Sequence, residues 1–390
     1  MALLDRPIRI GTDCSGMETP VMALQALKAR VEYEHMFSCD IDAKVKQQVL
    51  ANWAPQVWFD DLMTRNNQAK TTPSVDLYVA GFPCQSFSNA GLGRGFNDKR
   101  GEVFFGCTSY IEAKRPRVFV LENVKAILSN DGGNTFKTVM STLRGLGKGA
   151  YHVSHKVLDT QDHGVPQSRQ RVYFVGIRKD TVPAQFGGFE WPEELPRVSI
   201  EPLLEPRDAA PTMQDLPAKG GKTAYNGAKE VLQQLRKKGQ DPLNQTFLID
   251  IDASARFRNF MRDRCPCMTK SRASGYWVSS RGRRMTLEEM LRCQGMERSF
   301  EQVVSDRALG AQIGNAMSQN ILERLFVKLL PLAGLVSPDK ALKDRWHLRA
   351  LILPPSVADQ AKGKAATKRA RSQSAAAAGA AKSRRVQDLM

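Results

Sequence analysis

The loop that carries Cys84 is the part of the sequence where a reactive side chain is most strongly indicated. Residues 77–80 predict a short buried strand, which Gly81 and Pro83 end, so Cys84 falls on the loop at the carboxyl end of that strand. Reactive groups of α/β proteins lie at this end of their strands. A cysteine is most often a small buried hydrophobic residue, but hydrogen-bonding side chains follow this one: Gln85, Ser86 and Ser88. The pattern therefore predicts a thiol that acts as a nucleophile.

Charged side chains border two further predicted strands. The apolar strand at 116–121 ends in Glu122, and a buried carboxylate needs a partner. This residue is either a salt-bridged structural glutamate or, together with the Cys84 loop, part of an active site. A Gln-x-Arg-x-Arg pattern runs into another apolar strand, so Arg169 and Arg171 should point to one face. Two buried arginines on one face require acceptor groups opposite them.

The beginning of the chain has the pattern of a cofactor site. A first strand containing Ile8 and Ile10 leads through Gly16 into a helix predicted over 17–27, and the first N–H groups of such a helix can face a ligand. The next strand ends in Asp40, where a carboxylate can accept hydrogen bonds from both ribose hydroxyls. A solvated acidic turn is the alternative for this aspartate. The sequence has no phosphate loop of the G-x-x-x-x-G-K-[ST] type.

The order of the predicted elements divides the chain into several parts. Alternating strands and helices predict a doubly wound, Rossmann-like α/β domain, and clustered prolines after residue 182 interrupt that alternation. We therefore predict the following parts: a cofactor-binding and catalytic domain at 1–182, a second, smaller lobe at 183–282, a return to the first domain at 283–332, a connecting segment at 333–354 and a disordered basic tail at 355–390.

The net charge of the chain indicates what kind of molecule it binds. The 390 residues carry a formal net charge of +17, and basic surfaces bind polyanions by releasing their counterions. The stretch at 253–284 has nine basic residues, one acidic residue and several aromatic residues, which is typical of a nucleic-acid surface. The candidate DNA-binding residues are Arg256, Arg258, Arg262, Arg264, Lys270, Arg272, Arg281 and Arg283.

Several classes of protein are disfavoured. Seven scattered cysteines without a signal peptide indicate a reducing compartment rather than a disulfide framework. Cys265 and Cys267 do not have the spacing of a zinc site, so no metal is expected. No run of 18 apolar residues occurs, so no membrane span is expected. We expect a monomer during catalysis.

The sequence around Cys84, GFPCQSFSNAG, resembles the nucleophile loop of the cytosine-5 DNA methyltransferase family. Further segments resemble that family in its own order, up to about residue 330: 98–105, the arginine pattern at 167–171, 290–296 and 312–317. The sequence departs from the family at Cys14, where an aromatic residue is usual, and at Glu18, in place of a second glycine. Ser318 and Gln319 stand where two prolines are usual.

The resemblance implies S-adenosylmethionine as the cofactor and double-stranded DNA as the partner. It implies that the thiolate of Cys84 adds to carbon 6 of a flipped cytosine, that Glu122 holds N3 and the amino group, and that Arg171, beside Arg169, binds the O2 oxygen. The resemblance also implies that interval 183–282 is the target-recognition region and that Asp61 faces the adenine amino group of the cofactor. The implied cofactor-binding residues are Cys14, Ser15, Gly16, Met17, Asp40, Ile41, Asp61, Leu62, Pro83, Asn315 and Ala316.

Three functions remain open at this point. DNA cytosine-5 methylation is favoured by the long basic interval, while a branch of the family methylates tRNA with a compact recognition region. A catalytically inactive DNA-binding relative is disfavoured because Cys84, Glu122, Arg169 and Arg171 are all present.

The amino-acid composition of the tail indicates two alternative functions. Residues 361–390 contain eight basic residues and one acidic residue, typical of an electrostatic DNA tether or a nuclear-import signal. We expect a nuclear location in a eukaryotic cell and otherwise the cytoplasm or nucleoid. If the tail is a tether, its deletion should weaken DNA binding at low salt without changing sequence preference.

Overall fold

The computed structural model describes residues 3–83, 99–183, 185–207, 211–213, 215–217 and 222–352. The predicted nucleophile Cys84 and the predicted tail at 355–390 lie outside these ranges, as do the neighbours of Cys84 in its loop.

Within the described residues, the central sheet has seven strands in the order β3-β2-β1-β4-β5-β7-β6. The strands are β1 (Ile8–Asp13), β2 (Tyr33–Cys39), β3 (Val57–Phe59), β4 (Leu77–Ala80), β5 (Val118–Val124), β6 (Tyr151–Asp159) and β7 (Gln170–Arg178). All are parallel except β7, which is antiparallel to both of its neighbours. The amino end of β7 therefore lies beside the carboxyl end of β5.

The helices in the described ranges are α1 (Thr19–Ala26), α2 (Ala43–Asn52), α3 (Lys99–Lys114), α4 (Asn134–Gly149), α5 (Lys222–Lys237), α6 (Leu287–Cys293), α7 (Asp306–Asn315), α8 (Gln319–Leu332) and α9 (Arg345–Ile352). Helices α1 and α8 pack on one face of the central sheet, and α3 and α4 pack on the other. Alternate residues of β4 point to opposite cores: Leu77 and Val79 pack with residues of α1 and α8, and Tyr78 and Ala80 with residues of α3 and α4. The doubly wound α/β prediction is confirmed.

Two predicted boundaries were wrong, and each error has a local cause. The first helix begins at Thr19 rather than at residue 17, because Cys14, Gly16 and Glu18 have positive φ angles that a right-handed helix does not admit. Strand β5 continues past residue 121 to Val124, because β7 pairs with its last three residues. Glu122 therefore lies within a strand.

The second lobe and the two residues that follow it, 283–284, form a small antiparallel sheet in the order β11-β10-β8-β9. Its described strands are β8 (Phe247–Ile249), β9 (Phe260–Arg262), β10 (Trp277–Val278) and β11 (Arg283–Arg284). The apolar side of α5 packs on this sheet through residues that include Val231, Leu232 and Leu235. The segment predicted to connect the domain to the tail contains α9, whose Trp346 is buried.

None of the helices in the described ranges is long and apolar enough to cross a membrane.

Candidate active site

Glu122 and Arg171 form an ion pair at the edge of the central sheet. Arg171 begins β7 opposite the end of β5, and its Nε lies 3.2 Å from Oε1 of Glu122. Burial disfavours the charge on Arg171, but Cys267 and Glu122 raise its pKa, so the guanidinium stays charged. Oε1 of Glu122 is buried and has no hydrogen-bond donor within the described part of the chain. A ligand that carries N–H groups could supply one.

Arg169 precedes β7 and is only 2% exposed. Its guanidinium donates hydrogen bonds to three carbonyl oxygens, at 2.7 Å to Met268, 3.3 Å to Gly314 and 2.7 Å to Ala316. Burial lowers its pKa. Arg169 and Arg171 do point to the same side, as predicted, since both lie 3.7 Å from Sγ of Cys267. Arg169 thus joins β7, the second lobe and the end of α7.

The loop after β1 and the end of β2 are tied together. The N–H of Gly16 donates to Oδ2 of Asp40 at 3.1 Å, and the N–H of Asp42 donates to Oδ1 at 2.9 Å. The N–H of Ser15 donates to the carbonyl of Cys39 at 3.0 Å. Burial raises the pKa of the Asp40 carboxyl, although the two N–H groups oppose that shift. The structure therefore brings Gly16 and Asp40 together, as the sequence predicts for one cofactor site.

Apolar and acidic groups border this loop. Ile41, directly after Asp40, is 83% exposed, which leaves an apolar surface beside a carboxylate. Oδ1 of Asp61 accepts a hydrogen bond from the N–H of Met63 at 2.8 Å. Leu62 is buried against Gly106 of α3, and Met17 is also buried. An exposed isoleucine between acidic groups fits the flat apolar face and polar sugar of a nucleoside.

The end of α7 meets the end of β4. Asn315 is exposed at the last position of α7, while Ala316 is buried. Met317 packs so closely on Gly81 that a Cβ at this glycine would lie 2.9 Å from Cε of Met317. Pro83 follows two residues later. The predicted cofactor residues 315 and 316 therefore lie next to the strand that leads into the Cys84 loop.

A buried ion pair that no local sequence pattern predicts lies under this edge. Arg65 forms two hydrogen bonds of 2.7 Å to the carboxylate of Asp13, which also accepts one from the hydroxyl of Tyr78. The guanidinium lies 5.0 Å from the centroids of three rings: Phe37, Phe59 and Tyr110. An aspartate at the end of β1 is visible in the sequence, but no local pattern identifies Arg65 as its partner.

Glu18 supports the same loop from inside. It is fully buried, accepts a hydrogen bond of 2.7 Å from the hydroxyl of Thr12, and has Oε1 3.7 Å from Nε2 of His35. Burial raises the pKa of its carboxyl. The residue that replaces the usual glycine is therefore part of a buried polar network.

Half of the candidate DNA-binding residues are paired with acidic side chains. The pairs are Arg258 with Glu230, Arg272 with Asp250, Arg281 with Glu201 and Arg283 with Glu289. Arg262 and Arg264 donate to the side chains of Gln240 and Gln161. Arg256 is exposed, with its guanidinium 5.4 Å from the ring of Phe257, which is itself exposed. Lys270 is exposed and acts electrostatically on Asp40.

No cluster of three or more potential metal ligands occurs among the residues with described positions.

Comparison with known proteins assigns the family. A family model described as C-5 cytosine-specific DNA methylase matches residues 14–330. The chain is 34% identical over 294 residues to the type II methyltransferase M.NgoBI of Neisseria gonorrhoeae, covering 74% of this chain and 84% of that one. It is 31% identical over 267 residues to the type II methyltransferase M.HhaI of Haemophilus parahaemolyticus, covering 65% and 75% respectively.

Solved structures share the fold. The Entamoeba histolytica methyltransferase EhMeth superposes with a TM-score of 0.58 at 16% identity, covering 84% of this chain and 98% of that one. The S. pombe Dnmt2 methyltransferase superposes with a TM-score of 0.56 at 15% identity, covering 83% and 98%. With the family match spanning most of the chain, this protein belongs to the C-5 cytosine-specific DNA methylases, S-adenosylmethionine-dependent enzymes that methylate carbon 5 of cytosine in DNA.

Proposed function

We propose that this enzyme acts on a cytosine rotated out of double-stranded DNA, with Cys84 as the nucleophile and with Glu122 and Arg171 holding the base. The observation that carries the proposal is the buried Glu122–Arg171 pair, whose Oε1 has no donor within the described part of the chain. A base stacked in a duplex hides both faces of its ring, so it has to leave the stack before a thiol can reach carbon 6.

The roles follow from the chemistry of cytosine. Carbon 5 is a poor nucleophile, so the thiolate of Cys84 forms a bond to carbon 6 and the electron pair of the 5,6 double bond moves to carbon 5. Glu122 holds N3 and the exocyclic amino group, and Arg171 binds O2, where negative charge develops. Carbon 5 would then form a bond to the methyl carbon, and the electron pair of the broken methyl–sulfur bond would stay on the sulfur of the cofactor. Water would take the proton from carbon 5, and the electron pair of that C–H bond would re-form the 5,6 double bond while the bond between carbon 6 and Cys84 breaks and the thiolate returns. S-adenosylmethionine supplies the methyl group as an electrophilic carbon.

The cofactor would be held by the loop after β1 and the neighbouring strand ends. Asp40 would accept hydrogen bonds from the ribose, and Ile41 would cover one face of the adenine. Asp61 would accept from the adenine amino group. We assign the remaining contacts to the residues that line the same edge of the sheet: Cys14, Ser15, Gly16, Met17, Leu62, Pro83, Asn315 and Ala316.

Arg169 has a different task in this proposal. Its guanidinium is occupied by carbonyl oxygens of the recognition lobe and of the segment after α7. We therefore assign it to holding these segments against β7, and we assign contact with the base to Arg171.

The proposal extends to the division of the chain, its oligomeric state and its location. We assign 1–182 and 283–332 to the cofactor-binding and catalytic domain and 183–282 to target recognition, with a monomer as the catalytic unit. Its relatives named above are bacterial type II methyltransferases, which favours the cytoplasm as its location. A nuclear location would depend on the tail alone.

The test is a tritiated-methyl transfer assay with Cys84→Ser. Wild-type enzyme should label duplex DNA, and the variant should lose turnover while it still binds S-adenosylmethionine by calorimetry. Near-normal transfer by Cys84→Ser would refute the nucleophile, and labelling of tRNA in preference to duplex DNA would replace the proposed substrate. If the wild-type protein labels neither substrate, the hypothesis of a catalytically inactive DNA-binding relative replaces this proposal.

A further inference from the structure

A short segment of the recognition lobe is attached directly to the approach to β7. The N–H of Cys265 donates to the carbonyl of Pro166 at 2.8 Å, and the carbonyl of Cys265 accepts from the N–H of Ser168 at 2.8 Å. The N–H of Met268 donates to the side chain of Gln167 at 3.0 Å. Cys267 lies between these attached residues, so the attachment determines its position relative to Arg169 and Arg171.

The sulfur of Cys267 lies between the two arginines. Sγ is 3.7 Å from Nη1 of Arg169 and 3.7 Å from Nη2 of Arg171. Burial disfavours a charged sulfur, but the two guanidinium groups outweigh it and lower the pKa of the Cys267 thiol below its usual value. The thiol is partly exposed, so solvent and reagents can reach it.

Each nitrogen of the Arg171 guanidinium has a different neighbour. Nε faces Glu122 at 3.2 Å, and Nη1 donates to the carbonyl of Gln170 at 2.9 Å. Nη2 faces Cys267. Two of these neighbours belong to the central sheet, and the third belongs to the recognition lobe. The direction in which the guanidinium plane points therefore depends on both parts of the molecule.

We propose that Cys267 is a positioning residue for methyl transfer: its sulfur accepts from Arg171, orients that guanidinium against Glu122 and makes the orientation depend on the seating of the recognition lobe. The inference rests on the proposed role of Arg171. The sulfur does not touch the base in this proposal and acts only through the arginine.

Other titratable groups surround the thiol. Cys265 and Tyr276 of the lobe interact electrostatically with Cys267 itself, and Glu122 and Tyr173 of the central sheet interact with its two arginine neighbours. Burial raises the pKa values of Tyr173, Cys265 and Tyr276, so these three stay neutral. The arginines are therefore the groups that set the charge of Cys267.

The first test compares Cys267→Ala with Cys267→Ser. Loss of an acceptor for a buried guanidinium should lower kcat about tenfold in Cys267→Ala, with KM for S-adenosylmethionine unchanged. The serine oxygen should restore part of the loss, because it can still accept from Nη2. Unchanged kcat in Cys267→Ala would overturn the inference, and so would equal losses in both variants that follow a fall in Tm.

The second test does not depend on catalysis. Labelling of Cys267 by iodoacetamide, followed across pH by peptide mass spectrometry, should show a midpoint that rises by about one pH unit in Arg171→Gln. The control is Arg9→Gln, which changes an arginine paired with Glu34 rather than with Cys267 and should leave the midpoint of Cys267 unchanged. An unchanged midpoint for Cys267 would overturn the inference even if Cys84 proves to be the nucleophile. A shifted midpoint would support the interaction between Cys267 and Arg171 even if Cys84→Ser remains active.

Discussion

The carboxyl edge of the central sheet and the second lobe both contain charged residues that the sequence marks as functional, but the two regions use them differently. At the sheet edge, Glu122 and Arg171 meet in a buried pair in which Oε1 of Glu122 accepts no hydrogen bond from the described residues. In the lobe, arginines such as Arg272 and Arg281 are already paired with acidic residues of the same chain. In this protein, charged residues at predicted strand ends do come together in the fold. A basic stretch of sequence, in contrast, does not show which of its basic residues stay unpaired.

The reason is how far apart the partners are in sequence. Strand ends follow from short apolar runs, and parallel strands bring their carboxyl ends to one edge whatever lies between them. The window at 253–284 looks strongly basic because the acids that neutralise it lie outside it: Glu201, Glu230, Asp250, Asp252 and Glu289. Only folding shows which basic groups remain free.

The largest expected effect is at the sheet edge. Glu122→Gln should lower kcat for methyl transfer by about 10²–10³-fold, because the amide cannot supply the charge or the proton that the base requires. The control is Glu34→Gln, which alters a pair with Arg9 that has the same 3.2 Å separation but is about 40% exposed. The kcat of Glu34→Gln should stay within about twofold of the wild-type value. Similar losses of kcat in both variants would show that the Glu122–Arg171 pair matters no more for turnover than an exposed ion pair does.

The next effect is at the junction of the two regions. Gly314 of α7 lies against the recognition lobe so closely that a Cβ would overlap the backbone of Thr269. Gly314→Ala should lower the free energy of unfolding by about 1–3 kcal/mol through overpacking, measured by urea denaturation. The control is Gly145→Ala in α4, where a Cβ meets nothing within 4 Å and the change should be neutral or stabilising by up to about 1 kcal/mol. A neutral Gly314→Ala would show that the lobe is not seated on α7.

The smallest effect separates free from paired arginines within the lobe. Arg256→Ala should weaken DNA binding and reduce the slope of log affinity against log salt by about 1, because an exposed cation can release one counterion. Arg272→Ala should leave that slope nearly unchanged and lower Tm, because it removes the partner of Asp250. Fluorescence anisotropy over a salt series measures the slopes. Equal slope changes in the two variants would contradict the division into free and paired arginines.

Local patterns predicted several elements correctly. The bounds of β4 agree with the predicted 77–80, because this is a short apolar run ended by Gly81. Thr286 and Glu289 have the Thr-x-x-Glu spacing that is typical of a capping box, and α6 does begin with reciprocal hydrogen bonds between these two residues. These features need only neighbouring residues, so one sequence is enough to identify them.

Features that depend on distant residues were not predictable in this way. The extra residues of β5 exist because β7 pairs with them, and β7 begins almost fifty residues later in the chain. The ion pair between Asp13 and Arg65, and the sulfur of Cys267 between Arg169 and Arg171, join residues with no sequence pattern in common.

By itself, the sequence determined the α/β class, the family resemblance, the cofactor and the group of strand ends at which we propose the site, since all of these are expressed in runs and motifs of a few residues. Tertiary structure alone decided which charges are neutralised: Arg169 is occupied by carbonyl oxygens, Arg171 by Glu122, and much of the lobe by its own acids. The physical reason is that a charge in a folded protein is defined by the groups within a few ångströms of it, and the fold brings those groups from segments far apart in the chain.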